Sequence, residues 1–236
     1  MRAYPATHVG LVRKQNEDTI RVAEGKHSLY ILADGMGGHL AGEVASCMTC
    51  DVLEQALKNC AEPAGGYLQD AVLQANSAVY EKQLANEDMR GMGTTLTMLW
   101  DTGEDVLLAH VGDSRAYLLR GGQMRQITED HSMVGELLKT GAITEEQART
   151  HPYRNVITRA VGTDHTVKCD ILRHDKMQGD LWLLCSDGLT DMVEDMRIEE
   201  ALKAYAPVDA VQRLVEMALQ AGGKDNVSVM LLEVDA

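Results

Sequence analysis

Three aspartates stand where an apolar run gives way to a glycine. Leu-Tyr-Ile-Leu-Ala at 29–33 leads into Asp34-Gly35, and Leu-Trp-Leu-Leu-Cys at 181–185 leads into Ser186-Asp187-Gly188. The run at 106–110 leads through Val111-Gly112 to Asp113, and a fourth acid, Asp225, lies in Gly222-Gly223-Lys224-Asp225-Asn226. One Asp-Gly pair alone is a turn signal. Four acids in similar settings, drawn from distant stretches, suggest carboxylates held by rigid elements where backbone can approach a ligand closely. Gathered carboxylates repel each other unless protons or cations compensate them. Hard divalent cations take oxygen ligands, and apart from Cys185, which its strand position assigns to packing, these motifs offer no Cys or His. The donor set therefore points to Mg²⁺ or Mn²⁺ rather than Zn²⁺. Two such ions a few ångströms apart lower the pKa of a shared water and clamp a phosphoryl group.

Such acids need strands to carry them. Apolar strand patterns recur at 28–33, 94–100, 105–110, 115–119, 180–185 and 226–234. Gly121-Gly122, between 115–119 and 124–127, reads as the turn of a tight β-hairpin. Helical spacing marks 42–60 and 67–85, where Leu68, Val72, Ala75, Val79 and Leu84 repeat on one face. A third helix, 208–221, places Val211, Leu214, Val215 and Ala218 together and stops at Gly222-Gly223. Many antiparallel strand signals with helices in blocks, without strict β-α-β alternation, predict an α+β fold of packed sheets with helices outside.

Composition narrows the partners. With 22 basic and 36 acidic residues the net charge is −14, which argues against the clustered basic face of a nucleic-acid binder. No run reaches the roughly 18 apolar residues that span a bilayer, and 1–12 lacks the apolar core of a secretion signal. A soluble, cytoplasmic protein is expected. The five cysteines are scattered; Cys47 and Cys50 form a C-x-x-C without a second pair and are expected as core-facing residues of a helix. There is no Phe and there are 13 Met, so aliphatic and thioether side chains must fill the core. No linker or repeat appears, and 1–236 reads as one domain.

The motifs Asp34-Gly35-Met36-Gly37-Gly38-His39, Gly91-Met92-Gly93-Thr94-Thr95, Val111-Gly112-Asp113-Ser114-Arg115, Cys185-Ser186-Asp187-Gly188-Leu189 and Lys224-Asp225-Asn226 occur in an order that resembles the type 2C metal-dependent protein phosphatases, most closely the bacterial branch. Arg13 followed by Asn16-Glu17-Asp18 is similar to that family's first motif, so the likeness runs from about Thr7 to Val234. The resemblance implies a central sandwich of two antiparallel β-sheets flanked by α-helices, with metals in a cleft at one edge. It implies that Asp34 bridges two metals, that the Gly35 carbonyl binds one of them, and that Asp187 and Asp225 complete the pair. Asp113, with Asp187, is implied to hold a third, weaker ion. Arg13 is expected on the substrate phosphate, and Glu17 and Asp18 are expected to act through water near the metals. The implied reaction is hydrolysis of phosphoserine and phosphothreonine in proteins by a metal-activated water, with no phospho-enzyme, reversing a bacterial Ser/Thr kinase. The implied partners are phosphorylated proteins, with the enzyme as a monomer.

Met36 stands where eukaryotic members carry a His proposed as general acid, as in bacterial relatives. His39 is carried as a partial catalytic acid, with a surface or helix-starting role as the alternative. The stretch 129–159, with helical pieces at 131–139 and 144–149, is expected as the family's flap, with His131 and His151 facing solvent. Met36 and Met92 are expected to pack.

Other phosphatase chemistries fail on the residues. No Cys is followed by Arg six positions on, neither Asp34 nor Asp187 has a second Asp two residues later, and no P-loop occurs. The remaining alternative is a catalytically silent relative acting as a phosphoprotein-binding regulator, which would be expected to lack metal ligands.

Overall fold

The computed structural model describes residues 1–37 and 41–235, leaving His39 outside the described residues. The first sheet holds β1 (Arg2–His8), β7 (Arg115–Arg120), β8 (Gln123–Gln126), β10 (Leu181–Cys185) and β11 (Val227–Glu233), ordered β1-β11-β10-β7-β8. The second orders β2 (Asp18–Ala23), β3 (Leu29–Met36), β5 (Leu96–Asp101), β6 (Asp105–Val111) and β9 (Asp170–Asp175), with the short β4 (Gly93–Thr94) on the end of β3. Every pairing is antiparallel.

Side-chain alternation along these strands sorts the core into layers. Tyr30, Leu32, Leu99 and Leu108 of one sheet meet Leu118, Trp182, Leu184 and Met230 of the other. On the outer face of the second sheet, Ile31, Met98, Trp100 and Ala109 pack under α1 (Ala41–Leu57) and α2 (Gly65–Ala85). The outer face of the first sheet packs under α5 (Asp187–Thr190), α6 (Asp195–Ala204) and α7 (Pro207–Gln220) through Tyr117, Leu183, Val229 and Leu231. The expected α-β-β-α layering is the observed one. Two short helices, α3 (Met133–Lys139) and α4 (Glu145–Arg149), lie in the connection from β8 to β9.

Several elements differ from the sequence expectation. The strand expected over 94–100 is broken: Thr94 belongs to β4, and Thr95 turns aside to bond Asp34 before β5 begins. β1, β2, β9 and α6 carried no recognised pattern. β1 contains Pro5, and β1, β2 and β9 each close an edge of a sheet, where half-exposed residues blur the alternation. Leu84, assigned to the apolar face of α2, lies in its last turn and is 69% exposed. Cys50 is buried as expected, but Cys47 is only half-buried, beside the Thr19 hydroxyl. The hairpin expectation holds: Gly121 and Gly122 have φ of 59° and 78°, the left-handed pair that a two-residue turn between twisted strands requires.

Candidate active site

The carboxylates converge where both sheets end. Asp34 lies two residues before the end of β3, directly across from Asp18 on β2. Its backbone is fixed by Thr95, whose N–H donates to the Asp34 carbonyl (2.9 Å), and by Thr94, whose hydroxyl donates to the same oxygen (2.8 Å). Gly35 has no room for a side chain: a Cβ there would overlap the Gly42 carbonyl at the start of α1. That contact brings the helix end down onto the strand end.

Asp187 opens α5 as β10 ends. The Ser186 N–H donates to the Ser228 carbonyl (3.0 Å), and the Ser186 hydroxyl donates to Asp18 Oδ2 (2.9 Å). Gly188 packs its backbone against Asn226, leaving no space for a Cβ. Asp225 precedes β11 and accepts from Arg13 Nη2 through Oδ2 (2.8 Å) and from the Asn226 N–H through Oδ1 (2.8 Å). Asn226 in turn ties down the N-terminal loop. Its Nδ2 donates to the Val9 and Gln15 carbonyls (both 2.9 Å), and its Oδ1 accepts from the Glu17 N–H (2.8 Å). Asp113 stands on the β6–β7 turn, where Gly112 adopts φ +109° against Thr95.

Arg13, Glu17, Asp34, Gly35, Asp113, Asp187 and Asp225 line one cleft of about 180 Å³, together with Met36, Thr95, Asn155, Ile157 and Asn226. Asp18 lies just behind it, buried, with Oδ1 lacking a protein partner among the described residues. Asp34 and Asp187 keep a window to the cleft, but protein crowds their other sides. Desolvation first, and then the neighbouring carboxylates, hold both pKa values well above the ordinary range. Desolvation likewise pushes Asp18 to about 6, and desolvation with the Asp130 charge pushes Asp113 to about 7. Such a cluster is poised to exchange protons for cations. Among the described residues no three His, Cys, Asp or Glu side chains close on one point as a ready-made metal cage. The acids instead line an open cleft, a form that suits hard ions which keep several waters.

Residues 11–231 match the protein phosphatase 2C family. The chain belongs to that family. The serine/threonine protein phosphatase PstP of Mycobacterium tuberculosis is 45% identical over 228 residues, which are 95% of this chain but only 43% of that protein. The serine/threonine phosphatase stp of Listeria monocytogenes is 40% identical over 243 residues, covering 100% of this chain and 96% of its own length. The chain thus spans less than half of the mycobacterial relative and nearly all of the listerial one. The crystal structure of M. tuberculosis PstP/Ppp superposes with a TM-score of 0.92 at 41% identity, covering 100% of this chain and 99% of that one. The PstP catalytic domain solved in complex with two manganese ions gives 0.89 at 41% identity, covering 100% and 98%.

Within this phosphatase 2C fold, sequence reasoning gave no role to the residues that brace the acids, although Thr95, Ser186 and Asn226 stand inside its motifs. Ser186, Ser228, Thr95 and Asn226 act through hydrogen bonds between distant segments, which residue spacing does not reveal. Asp191 had a visible signal, since it follows Asp187 by one helical turn; burial raises its pKa as well. His131, expected to face solvent, is buried at 6% exposure between the β6–β7 turn and Asp170. Met92 is fully buried as expected, whereas Met36 reaches the cleft wall.

Proposed function

We propose that this chain is a metal-dependent protein-serine/threonine phosphatase whose substrates are phosphorylated proteins, working against a bacterial Ser/Thr kinase. The observation that carries the reading is the convergence of Asp34, Asp113, Asp187 and Asp225 on one cleft, with Asp18 behind it, where desolvation and then the neighbouring carboxylates raise the pKa of Asp34 and Asp187. Names of relatives and the manganese complex of PstP support it. In this reading Asp34, the Gly35 carbonyl, Asp187 and Asp225 hold two Mn²⁺ or Mg²⁺ ions, and Asp113 with Asp187 holds a third more weakly. Glu17 and Asp18 act through intervening water. Bound divalent ions supply charge that acidifies water and draws electron density from phosphoryl oxygens.

The chain's own residues do the rest. Arg13 is exposed and ion-paired to Asp225, an attraction worth ~1 kcal/mol or less at a solvated surface. The guanidinium can therefore turn cheaply to a substrate phosphate, which it matches with paired donors. Ser186 holds Asp18 in a single orientation, and the Asn226 bonds keep the Arg13 loop at the cleft edge. The segment 129–159 contributes Asn155 and Ile157 to the cleft wall and serves as the flap that meets the polypeptide around the phosphoresidue.

The test is phosphate release from a phosphothreonine peptide with and without Mn²⁺, for wild type and Asp187→Asn. Release that needs Mn²⁺, stops with EDTA and is lost in the variant is the expected result. No release from folded protein under any divalent ion would leave the silent phosphoprotein-binding regulator as the reading.

A further inference from the structure

The β6–β7 turn that presents Asp113 is gripped from behind by one side chain. The Gly112 N–H donates to His131 Nδ1 (3.1 Å), and the His131 N–H donates back to the Gly112 carbonyl (2.7 Å). On its far side, His131 Nε2 lies 3.1 Å from Asp170 Oδ2 and 3.0 Å from Arg159 Nη1. The His110 ring lies against it at 4.7 Å between centroids. His131 also begins the cleft-wall segment. Its carbonyl accepts from the Thr158 N–H (2.8 Å), Ser132 bridges to Ile157, and the Met133 N–H donates to the Val156 carbonyl (2.9 Å).

The tautomer follows from these partners. A backbone N–H can only donate, so Nδ1 must present its lone pair to Gly112. The proton then sits on Nε2, where the Asp170 carboxylate accepts it. With Nε2 protonated, Arg159 Nη1 at 3.0 Å cannot donate to the ring and donates instead to Asp170 Oδ1 (3.2 Å). Each face of the imidazole is thereby assigned: one to the turn of Asp113, the other to an anchor on β9 (Asp170–Asp175).

We infer that His131 is a positioning residue that locks the Asp113 turn to the wall bearing Asn155 and Ile157, so that the weaker cation position and the substrate-facing wall are set as one piece. The link to a cation rests on the phosphatase reading above; the lock itself does not. Residues behind a ligand commonly change metal affinity by roughly 10- to 100-fold when removed.

Two variants separate the lock from plain packing. His131→Phe keeps a ring against His110 and removes the acceptor. His131→Asn loses the ring but keeps an oxygen near the Nδ1 position. The expected result is that Phe raises the Mn²⁺ concentration for half-maximal turnover about tenfold, while Asn stays near wild type. In metal-free protein, amide exchange at Gly112 and Asp113 should accelerate in Phe and remain slow in Asn. Nitrogen-15 imidazole signals of wild type should show Nδ1 bare and Nε2 protonated. A proton on Nδ1 in wild type, or unchanged Gly112 exchange in the Phe variant, would overturn the lock, and the wild-type spectrum decides even if both variants fail to fold. Unlocked exchange in Phe with unaltered Mn²⁺ dependence would overturn the coupling to the cation position. Wild type without turnover, by contrast, sinks the phosphatase reading and leaves the exchange and imidazole results to judge the lock.

Discussion

Asp18 and Asp34 sit directly opposite each other on neighbouring strands, an arrangement that costs stability when both are ionised. Asp187 adds a third charge to the same surroundings; after desolvation has done the larger part, Asp18 raises the pKa of both Asp34 and Asp187, and Asp187 raises that of Asp34. The sign of the linkage follows. A carboxylate whose folded pKa lies above its unfolded value favours folding in its protonated form, so in metal-free protein it opposes folding near neutrality. That opposition fades as the pH falls through the raised pKa toward about 4. Metal-free Asp187→Asn should therefore melt roughly 4 °C above wild type at pH 7.5, with the gap closing as the solution is acidified. With Mn²⁺ the order should reverse, because only wild type gains the full binding energy of the ions. Melting curves at several pH values, with EDTA and with Mn²⁺, check both halves. Equal melting of the two proteins in EDTA at pH 7.5 would mean the acids do not strain the fold.

Elements meet at the cleft through small residues and one amide. Gly35 lets β3 (Leu29–Met36) touch the start of α1, and Gly188 lets α5 touch the start of β11 (Val227–Glu233). Asn226 is 5% exposed and makes three side-chain bonds to the loop that carries Arg13. Asn226→Ala would leave two carbonyls and one N–H without their partner, costing about 3 kcal/mol. Denaturant unfolding should show that loss. In turnover, the freed loop should raise KM for phosphopeptide by more than it lowers kcat, since Asp34, Asp113 and Asp187 are held by other segments. Loss confined to kcat would instead place Asn226 among the groups that act on the reacting atoms. The strand ends bearing Asp34 and Asp187 were legible because buried strands write continuous apolar runs. The edge strands β1, β2 and β9 were not, because Pro5 and half-exposed residues leave no period to read.

Across the whole molecule, two tryptophans take the bulk that Phe would otherwise supply. Trp100 fills the layer beneath α1 and α2, and Trp182 fills the layer between the sheets; both are fully buried. The Trp182 Nε1–H finds no protein acceptor among the described residues, and its ring meets the His174 ring edge-on at 5.6 Å. Trp182→Phe removes some packing but also removes a buried donor without a partner, two effects of opposite sign. Its stability should stay within about 1 kcal/mol of wild type, while Trp182→Ala should lose ~4 kcal/mol. Chemical denaturation of the pair measures the difference. A Phe variant as weak as the Ala variant would show that the indole N–H is bonded after all.

The sequence by itself determined the family. Acid after apolar run, glycine beside acid and the order of those motifs depend on local residue type, so they can be read one stretch at a time and sufficed for the phosphatase 2C family. An α+β fold of packed sheets with helices outside also followed from strand and helix periods, while the sandwich of two antiparallel sheets came from the resemblance. Only tertiary structure decided what surrounds each acid: that Asp18 faces Asp34, that Ser186 bonds a residue 168 positions away and Asn226 one 211 positions away, and that His131 is buried behind Asp113. Those contacts arise when separate strands reach one edge together. Their partners are chosen by the folded geometry and leave no spacing in the chain from which to predict them.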